Sequence, residues 1–125
     1  MEVDEKIEVA LNLADRMVEE MLRDSSEPKK DLENLSNELA KIIDFLKVKD
    51  FDSSLELSNY LSKSPMLRSR PQKSYGVINR VLREERDKLP ADFILEILGY
   101  VRRILIYKSK SMVVSKTHLK KRKRR

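Results

Sequence analysis

The side chains of this chain best suited to bind a ligand lie between Arg68 and Tyr75, in the run Arg-Ser-Arg-Pro-Gln-Lys-Ser-Tyr. Pro71 favours the first turn of a helix, because its fixed φ suits that position and its missing N–H costs nothing there. A helix N-terminus presents amides without partners and the positive end of the helix dipole. Arg68, Arg70 and Lys73 would add charged donors. The run therefore predicts a site that holds phosphate groups without reading base sequence.

A basic ridge is expected to continue along the helix that follows this run. Lys73, Arg80 and Arg83 are spaced seven and three residues apart, so they fall on one side of a helix. The opposite side would face the core, with Tyr75, Ile78, Val81 (with Val77) and Leu82. For Gly76 in this helix and Gly99 in the last predicted helix, we favour close packing against another helix, and the alternative for Gly76 is close approach of a phosphodiester backbone.

Tyrosines could add stacking on bases to these phosphate contacts. The chain has four, Tyr60, Tyr75, Tyr100 and Tyr107. For each of them the favoured interpretation is a half-buried position in the core. Tyr107 is the best candidate for stacking, because it stands beside Lys108 near the end of a predicted helix.

The histidine and the adjacent acidic residues of this sequence do not form a pattern typical of a catalytic site. The single histidine, His118, lies in a basic run, and the pairs Glu19–Glu20 and Glu84–Glu85 would point about 100° apart on a helix. The chain has no cysteine, no Cys/His metal spacing and no glycine-rich phosphate loop. We therefore predict no catalytic residue, no metal and no cofactor, and a protein that is not an enzyme.

Charge is distributed unevenly along the 125 residues, whose net charge is +6. Residues 1–56 hold 16 acidic and 8 basic residues, whereas residues 57–125 hold 5 acidic and 19 basic ones. A basic half of this kind attracts polyanions, although the two halves could instead neutralise each other. The predicted nucleic-acid-binding residues are Lys63, Arg68, Arg70, Lys73, Arg80, Arg83, Arg102, Arg103, Lys108, Lys110, Lys116, Lys120, Lys121, Arg122, Lys123, Arg124 and Arg125.

Hydrophobic periodicity predicts an acidic, antiparallel helical hairpin over residues 1–48. Its first helix spans about 3–23, and its second spans about 29–48 after the break at Pro28. The second has a heptad seam, for which we favour packing within the chain over a dimer interface. The predicted core stripes are Val3, Ile7, Leu11 (with Ala10), Ala14, Val18 (with Met17) and Met21 in the first helix and Leu32, Leu35, Leu39, Ile42 and Leu46 in the second.

Three more helices and a tail are predicted after the hairpin, in a basic part that spans residues 52–107. A short helix over 54–62 starts at a Ser53/Glu56 capping box and buries Leu57, Tyr60 and Leu61. The next spans about 71–86. The last opens at Pro90 and frays after Tyr107. The basic tail over 108–125 is expected to be flexible. The fold class is therefore all-α, a compact bundle of about five helices.

Two stretches give the chain a resemblance to a known family. The stretches Arg70-Pro-Gln-Lys-Ser-Tyr-Gly-Val-Ile-Asn-Arg80 and Glu96-Ile-Leu-Gly-Tyr-Val-Arg-Arg103 resemble the small all-helical subunits of type I and type III CRISPR effector complexes, over about residues 55–107. The resemblance implies a noncatalytic subunit that lines RNA or a displaced DNA strand in several copies. More locally, residues 83–93 are similar to a helical segment of GINS replication-complex subunits.

The sequence as a whole predicts a noncatalytic nucleic-acid-binding subunit or accessory protein. It would grip RNA or DNA backbone through its basic part and tail, and its acidic hairpin would contact protein partners or sister copies. The alternative is a helical interaction adaptor whose tail serves only targeting or solubility. Without a signal peptide or a long apolar run, we expect no membrane contact and a cytoplasmic location, or a nuclear one in a eukaryote.

Overall fold

Five α-helices and two short 3₁₀ turns make up the computed structural model, which describes residues 1–112. No β-strand occurs within those residues, and the predicted all-α class is confirmed. The helices are α1 (Val3–Leu22), α2 (Pro28–Leu46), α3 (Phe51–Ser62), α4 (Ser69–Glu84) and α5 (Ile94–Ser111), and the 3₁₀ turns are Arg86–Lys88 and Ala91–Phe93.

The four longer helices form a bundle in the spatial order α1, α5, α2, α4, and α3 packs outside it against α4. α1 and α2 stand diagonally, so each contacts α4 and α5 more extensively than it contacts the other. The predicted hairpin is therefore not a separate unit but two opposite corners of one bundle.

Cross-helix side-chain pairs give the direction of each helix. α4 runs antiparallel to α1 and parallel to α2, which makes α1 and α2 antiparallel as predicted, and α5 runs parallel to α1. The C-termini of α1 and α5 therefore lie at the same end of the bundle as the N-termini of α2 and α4. These pairs are Arg16–Glu85 and Glu20–Arg80, Asp31–Arg70 and Glu38–Tyr75, and Lys6–Glu96 and Asp15–Lys108.

The predicted core stripe of α1 is correct only in part. Ala10, Ala14, Met17 and Met21 are buried as predicted, whereas Val3, Ile7 and Leu11 are 54%, 38% and 44% exposed. α1 carries two overlapping apolar stripes, and the one with Ala10 and Ala14 lets neighbouring helices approach closely because those side chains are small. The buried residues of α1 are Lys6, Ala10, Leu13, Ala14, Met17 and Met21.

The heptad seam of α2 packs within the chain, as we favoured. Leu32, Leu35 and Leu39 are fully buried, Ile42 is 1% exposed and Leu46 is half-buried. α2 contacts α5 and α4 most extensively, so the seam fills the bundle core and offers no dimer interface.

Helix α3 begins earlier than predicted and turns a different face inward. The carboxylate of Asp50, rather than Ser53, caps it by accepting the Ser53 amide at 2.7 Å. This hydrogen bond and one from the Ser53 hydroxyl lower the pKa of Asp50. Leu55 is buried, whereas Tyr60 is 69% exposed, so the prediction that Tyr60 belongs to the core is wrong.

Helices α4 and α5 bury most of their predicted core residues, Tyr75, Ile78, Val81 and Leu82 in α4 among them. The predicted bounds of α5 are wrong at both ends. The helix starts at Ile94, because a 3₁₀ turn follows Pro90, and it continues to Ser111 rather than fraying after Tyr107. The predicted tail thus starts within α5, and its part from residue 113 onward lies outside the described residues.

Candidate nucleic-acid interface

The outer face of α4 carries the basic ridge that its sequence predicted. Lys73, Gly76, Arg80 and Arg83 follow one another at helical spacing, opposite the buried Tyr75 side. From Lys73 to Arg83 the helix rises about 15 Å. The ridge is thus one straight edge, and α3 lies beside it.

Beside this ridge, three open grooves adjoin one another between α3 and the N-termini of α2 and α4. The first, of about 530 Å³, lies at the start of α4 and shares Ser69 and Lys73 with the second, of about 470 Å³. The second shares Lys63 with the third, of about 400 Å³. Six basic residues line this continuous path, and we call five of them the α3–α4 track: Lys63, Arg68, Lys73, Arg80 and Arg83. The sixth, Arg70, pairs with Glu27 and Asp31. Acidic side chains line the path as well, Asp24 and Asp31 in the first groove and Glu56 in the third.

Most cations of the track lack an acidic partner. Within residues 1–112, no carboxylate oxygen lies within 4.0 Å of the charged nitrogens of Lys63, Arg68, Lys73 or Arg83. The Lys73 ammonium donates only to the Arg23 carbonyl oxygen, at 3.4 Å. Three of these four side chains are exposed, and Lys73 is half-buried, so all can reach an external anion.

Arg70, which the sequence grouped with Arg68 and Lys73, is engaged inside the molecule. Its guanidinium donates from Nε to Asp31 at 2.8 Å and from Nη2 to Glu27 at 2.7 Å. These hydrogen bonds, led by the one to Asp31, raise the pKa of Arg70. The pKa of Glu27 is lowered by its hydrogen bonds from Lys30 and then Arg70. Arg70 therefore ties the start of α4 to the start of α2.

Neutralisation between the acidic and basic halves, which the sequence left as an alternative, occurs in part. Arg80 donates from Nε to Glu20 at 2.7 Å, at the inner edge of the ridge. Arg16 pairs with Glu84 and, at 2.9 Å, with Glu85. The hydrogen bond to Glu84 is the largest cause of the raised pKa of Arg16. The adjacent Glu84 and Glu85 thus join α4 to α1 rather than forming a catalytic pair.

The predicted basic residues of α5 lie on another side of the bundle, because α5 and α4 occupy opposite corners. Arg102 donates to the Ser36 carbonyl oxygen at 3.4 Å, and Lys108 pairs with Asp15 at 3.5 Å. Arg103 and Lys110 are exposed. The structure therefore divides the predicted interface between two faces.

The four tyrosines occupy different environments. Tyr75 is buried and donates its hydroxyl to Glu38 at 2.7 Å, and its pKa is raised by burial and then by this hydrogen bond. Tyr100 is half-buried and donates to Glu96 at 3.3 Å. Tyr60 and Tyr107 are 69% and 73% exposed. The predicted stacker, Tyr107, stands on α5, away from the α3–α4 track.

The residues around Tyr60 form a site that the sequence prediction missed. Glu56, Asn59 and Tyr60 line the third groove together with Lys63, Ser64, Pro65 and Arg83. The apolar periodicity of α3 predicted the wrong buried face, because serines occupy the face that is buried. Asn79 of α4 contacts this face, donating to the Leu55 carbonyl at 2.8 Å and to the Ser58 hydroxyl at 2.9 Å. The capping spacing from Asp50 to Ser53 was the available signal for the start of this helix.

Neither glycine that the sequence placed inside a helix is required by close packing. A Cβ at Gly76 would lie 3.7 Å from Ser62 Cβ and 3.8 Å from Arg80 Nη1, which are ordinary contact distances. A Cβ at Gly99 would meet nothing within 4 Å. Gly76 lines the second groove of the track, so its missing side chain widens that groove.

The last described residue lies at the end of the bundle where the α3–α4 track begins. Met112, the last described residue, follows the C-terminus of α5, at the same end as Arg68 and the N-terminus of α4. The predicted residues Lys116, Lys120, Lys121, Arg122, Lys123, Arg124 and Arg125 lie outside the described residues.

Within residues 1–112, no group of three or more acidic or histidine side chains is arranged to hold a metal ion. None of the described helices is both long and apolar enough to cross a membrane. Comparisons with protein-family models, curated proteins and solved structures found no match. The function is therefore inferred from the geometry and charge of the described residues.

Proposed function

We propose that this protein is a noncatalytic nucleic-acid-binding subunit or accessory protein that grips RNA or DNA backbone. The observation that carries the proposal is the α3–α4 track, in which Lys63, Arg68, Lys73 and Arg83 line continuous grooves without an acidic partner among the described residues. Unbalanced cations in a groove attract a polyanion and hold its phosphates once it is bound.

Hydrogen-bonding groups along the same path suit a phosphodiester backbone. Ser69 and Gln72 line the second groove between the cations, and neutral donors of this kind commonly contact phosphate oxygens. One amide hydrogen of Gln72 is donated to the Ser64 carbonyl oxygen, which leaves the other for a ligand. Arg68 precedes α4 without a side-chain cap, so the helix N-terminus adds its positive dipole end. The track thus combines mobile charges with fixed donors.

The position of Met112 is compatible with the same proposal. This last described residue follows the C-terminus of α5, at the end of the bundle where the track begins. The CRISPR small-subunit resemblance remains part of this proposal, and it would make the protein one of several copies along a strand. Membership of a larger complex, like the location in the cytoplasm or nucleus, belongs to the proposal as well.

Fluorescence anisotropy with labelled single-stranded RNA, single-stranded DNA and duplex DNA of equal length tests the proposal at several salt concentrations. We expect micromolar or tighter binding that weakens steeply with salt. Replacing Lys63, Lys73 and Arg83 together with alanine should reduce the slope of log K against log salt by about 2, because each phosphate contact contributes roughly 0.7–0.9.

The matched control replaces Lys47, Lys49 and Lys88 with alanine, because none of these cations lines a groove of the track. This variant should keep the wild-type slope. A chain that ends at Met112 keeps all of α5 and separates the contribution of the tail from that of the track. No binding at low salt, or equal loss in both triple variants, would refute the proposal.

A second candidate, a protein-interaction adaptor, is favoured by the exposed apolar stripe Val3, Ile7 and Leu11 on α1. The heptad seam cannot serve this role, since it is buried in the core. If the protein binds no polyanion, the adaptor becomes the better proposal. Replacing Ile7 and Leu11 with lysine should then abolish association with a partner while leaving the bundle folded.

A further inference from the structure

We infer that the third groove of the track takes one unpaired nucleotide of a single strand, with its base stacked on Tyr60 and its phosphate on Lys63 and Arg83. We call it the Tyr60 groove, lined by Glu56, Asn59, Tyr60, Lys63, Ser64, Pro65 and Arg83. This inference rests on the proposed nucleic-acid binding and names the form of nucleic acid that the site selects.

The Tyr60 ring supplies the stacking surface. Tyr60 is 69% exposed, whereas Tyr75, facing inward from the neighbouring helix, is 4% exposed. Among the described residues, neither a hydrogen bond of the Tyr60 hydroxyl nor a cation over its ring is found. An aromatic face left open beside cations is the arrangement with which proteins hold single strands.

Lys63 and Arg83 supply the phosphate contacts on either side of the ring. Both side chains are exposed. Lys63 directly follows the last residue of α3, and Arg83 lies in α4, so the two cations reach the groove from different helices. A guanidinium offers paired N–H donors that match two phosphate oxygens, and an ammonium adds a point charge. The two cations can therefore hold the backbone that flanks a stacked base.

Glu56 and Asn59 give the groove a side suited to a base edge. The Asn59 amide can both donate and accept, and the Glu56 carboxylate can accept from exocyclic amino groups of a base. Both side chains line the same groove as the Tyr60 ring, so a stacked base would have hydrogen-bonding groups beside it.

Base pairing in a duplex would prevent this mode of binding. Stacked and paired bases expose neither their faces nor their Watson–Crick edges, whereas single strands offer both. The volume of the groove, about 400 Å³, is in the range of sites for small ligands. Single-stranded RNA or DNA is therefore the ligand form that fits the Tyr60 groove.

Tyr60→Ala, measured by anisotropy against single-stranded and duplex oligonucleotides of equal length, is the test. We expect single-strand affinity to fall about 5- to 100-fold with an unchanged salt slope, because stacking involves no ion release. Tyr60→Phe should retain the affinity, since the ring remains. Tyr107→Ala is the matched control, an equally exposed tyrosine outside the groove, and it should bind like wild type.

A strand that carries 2-aminopurine gives a second readout, because its fluorescence should be quenched on binding to wild type and not to Tyr60→Ala. If wild type binds with a steep salt slope but Tyr60→Ala and Tyr107→Ala behave alike, this inference fails and the proposed function stands. Duplex affinity equal to single-strand affinity would also overturn it. If wild type binds no nucleic acid at all, the proposed function itself fails.

Discussion

Helix α4 has ion-paired and buried polar residues on the side that faces α2, and open grooves on the side that faces α3. Toward α2, Arg70 is held by Glu27 and Asp31, and Tyr75 is buried against Glu38. Toward α3, cations of the same kind line open grooves beside an exposed tyrosine. Residue type is similar on both flanks, so the difference arises from what the tertiary structure sets opposite each side chain.

The α2 flank behaves as a closed polar network. Ser74 donates to Asn34 at 2.8 Å, and Asn34 and Tyr75 both donate to Glu38, at 3.1 and 2.7 Å. No buried side-chain nitrogen or oxygen of the described residues lacks a partner. Charges satisfied in this way stabilise the fold. On the α3 flank, by contrast, Lys63 and Arg83 line a groove without an acidic partner among the described residues.

The largest expected effect is the difference in free energy of unfolding between alanine variants of Tyr75 and Tyr60. Tyr75→Ala should lower the free energy of unfolding by about 3–5 kcal/mol, because it empties a buried aromatic position. Tyr60→Ala should change it by less than about 0.5 kcal/mol, as is usual for exposed sites. Urea denaturation measures both, and a similar loss in the two variants would contradict the contrast between the flanks.

Smaller effects are expected from two arginines of α4: substitution of Arg70 should lower stability, and substitution of Arg83 should weaken nucleic-acid binding. Arg70→Ala should cost about 1 kcal/mol of stability, because it breaks a partly exposed ion-pair network. Arg83→Ala should leave the unfolding midpoint unchanged and weaken nucleic-acid binding instead. Urea denaturation and anisotropy on both variants measure these two properties. A larger loss of nucleic-acid binding in Arg70→Ala than in Arg83→Ala would contradict the assignment of Arg70 to the fold and Arg83 to the ligand.

Acid should remove the stabilising effect of Arg70. Hydrogen bonds from Lys30 and then Arg70 lower the pKa of Glu27 in the folded state, so their stabilisation is complete above the ordinary glutamate pKa and is lost as pH falls through the lowered one. The stability difference between wild type and Arg70→Ala should therefore shrink with falling pH below about 4. A difference that grows in acid would show that another interaction of Arg70 dominates.

The smallest expected effects come from the two helical glycines. Gly99→Ala and Gly76→Ala should each stabilise the protein by about 0.5–1 kcal/mol, because both helices have room for the methyl group. Only Gly76→Ala should weaken nucleic-acid binding, since it narrows a groove of the track. Thermal unfolding and anisotropy give the two quantities, and destabilisation by Gly76→Ala would restore close helix packing as the reason for that glycine.

Periodicity predicted the elements whose apolar pattern has a single phase. The seam of α2 and the core face of α4 repeat cleanly, and both are buried as expected. On α1, the predicted stripe was too wide: Ala10 and Ala14 are buried, whereas Ile7 and Leu11 are exposed, and the packing of the neighbouring helices decided between them. On α3, Ser54 and Ser58 face inward: Ser54 donates to the Asp50 carbonyl oxygen, and the Ser58 hydroxyl accepts from Asn79, 21 residues away along the chain.

By itself, the amino-acid sequence determined the all-α class, the number of helices and the basic ridge of α4, because these follow from local spacing and composition. Only the tertiary structure decided which cations remain available to a ligand. Arg70 meets carboxylates 39 and 43 residues away, whereas Arg83 meets the open groove beside Tyr60. Electrostatic and hydrogen-bonding partners are spatial neighbours, and distances along the chain do not reveal them.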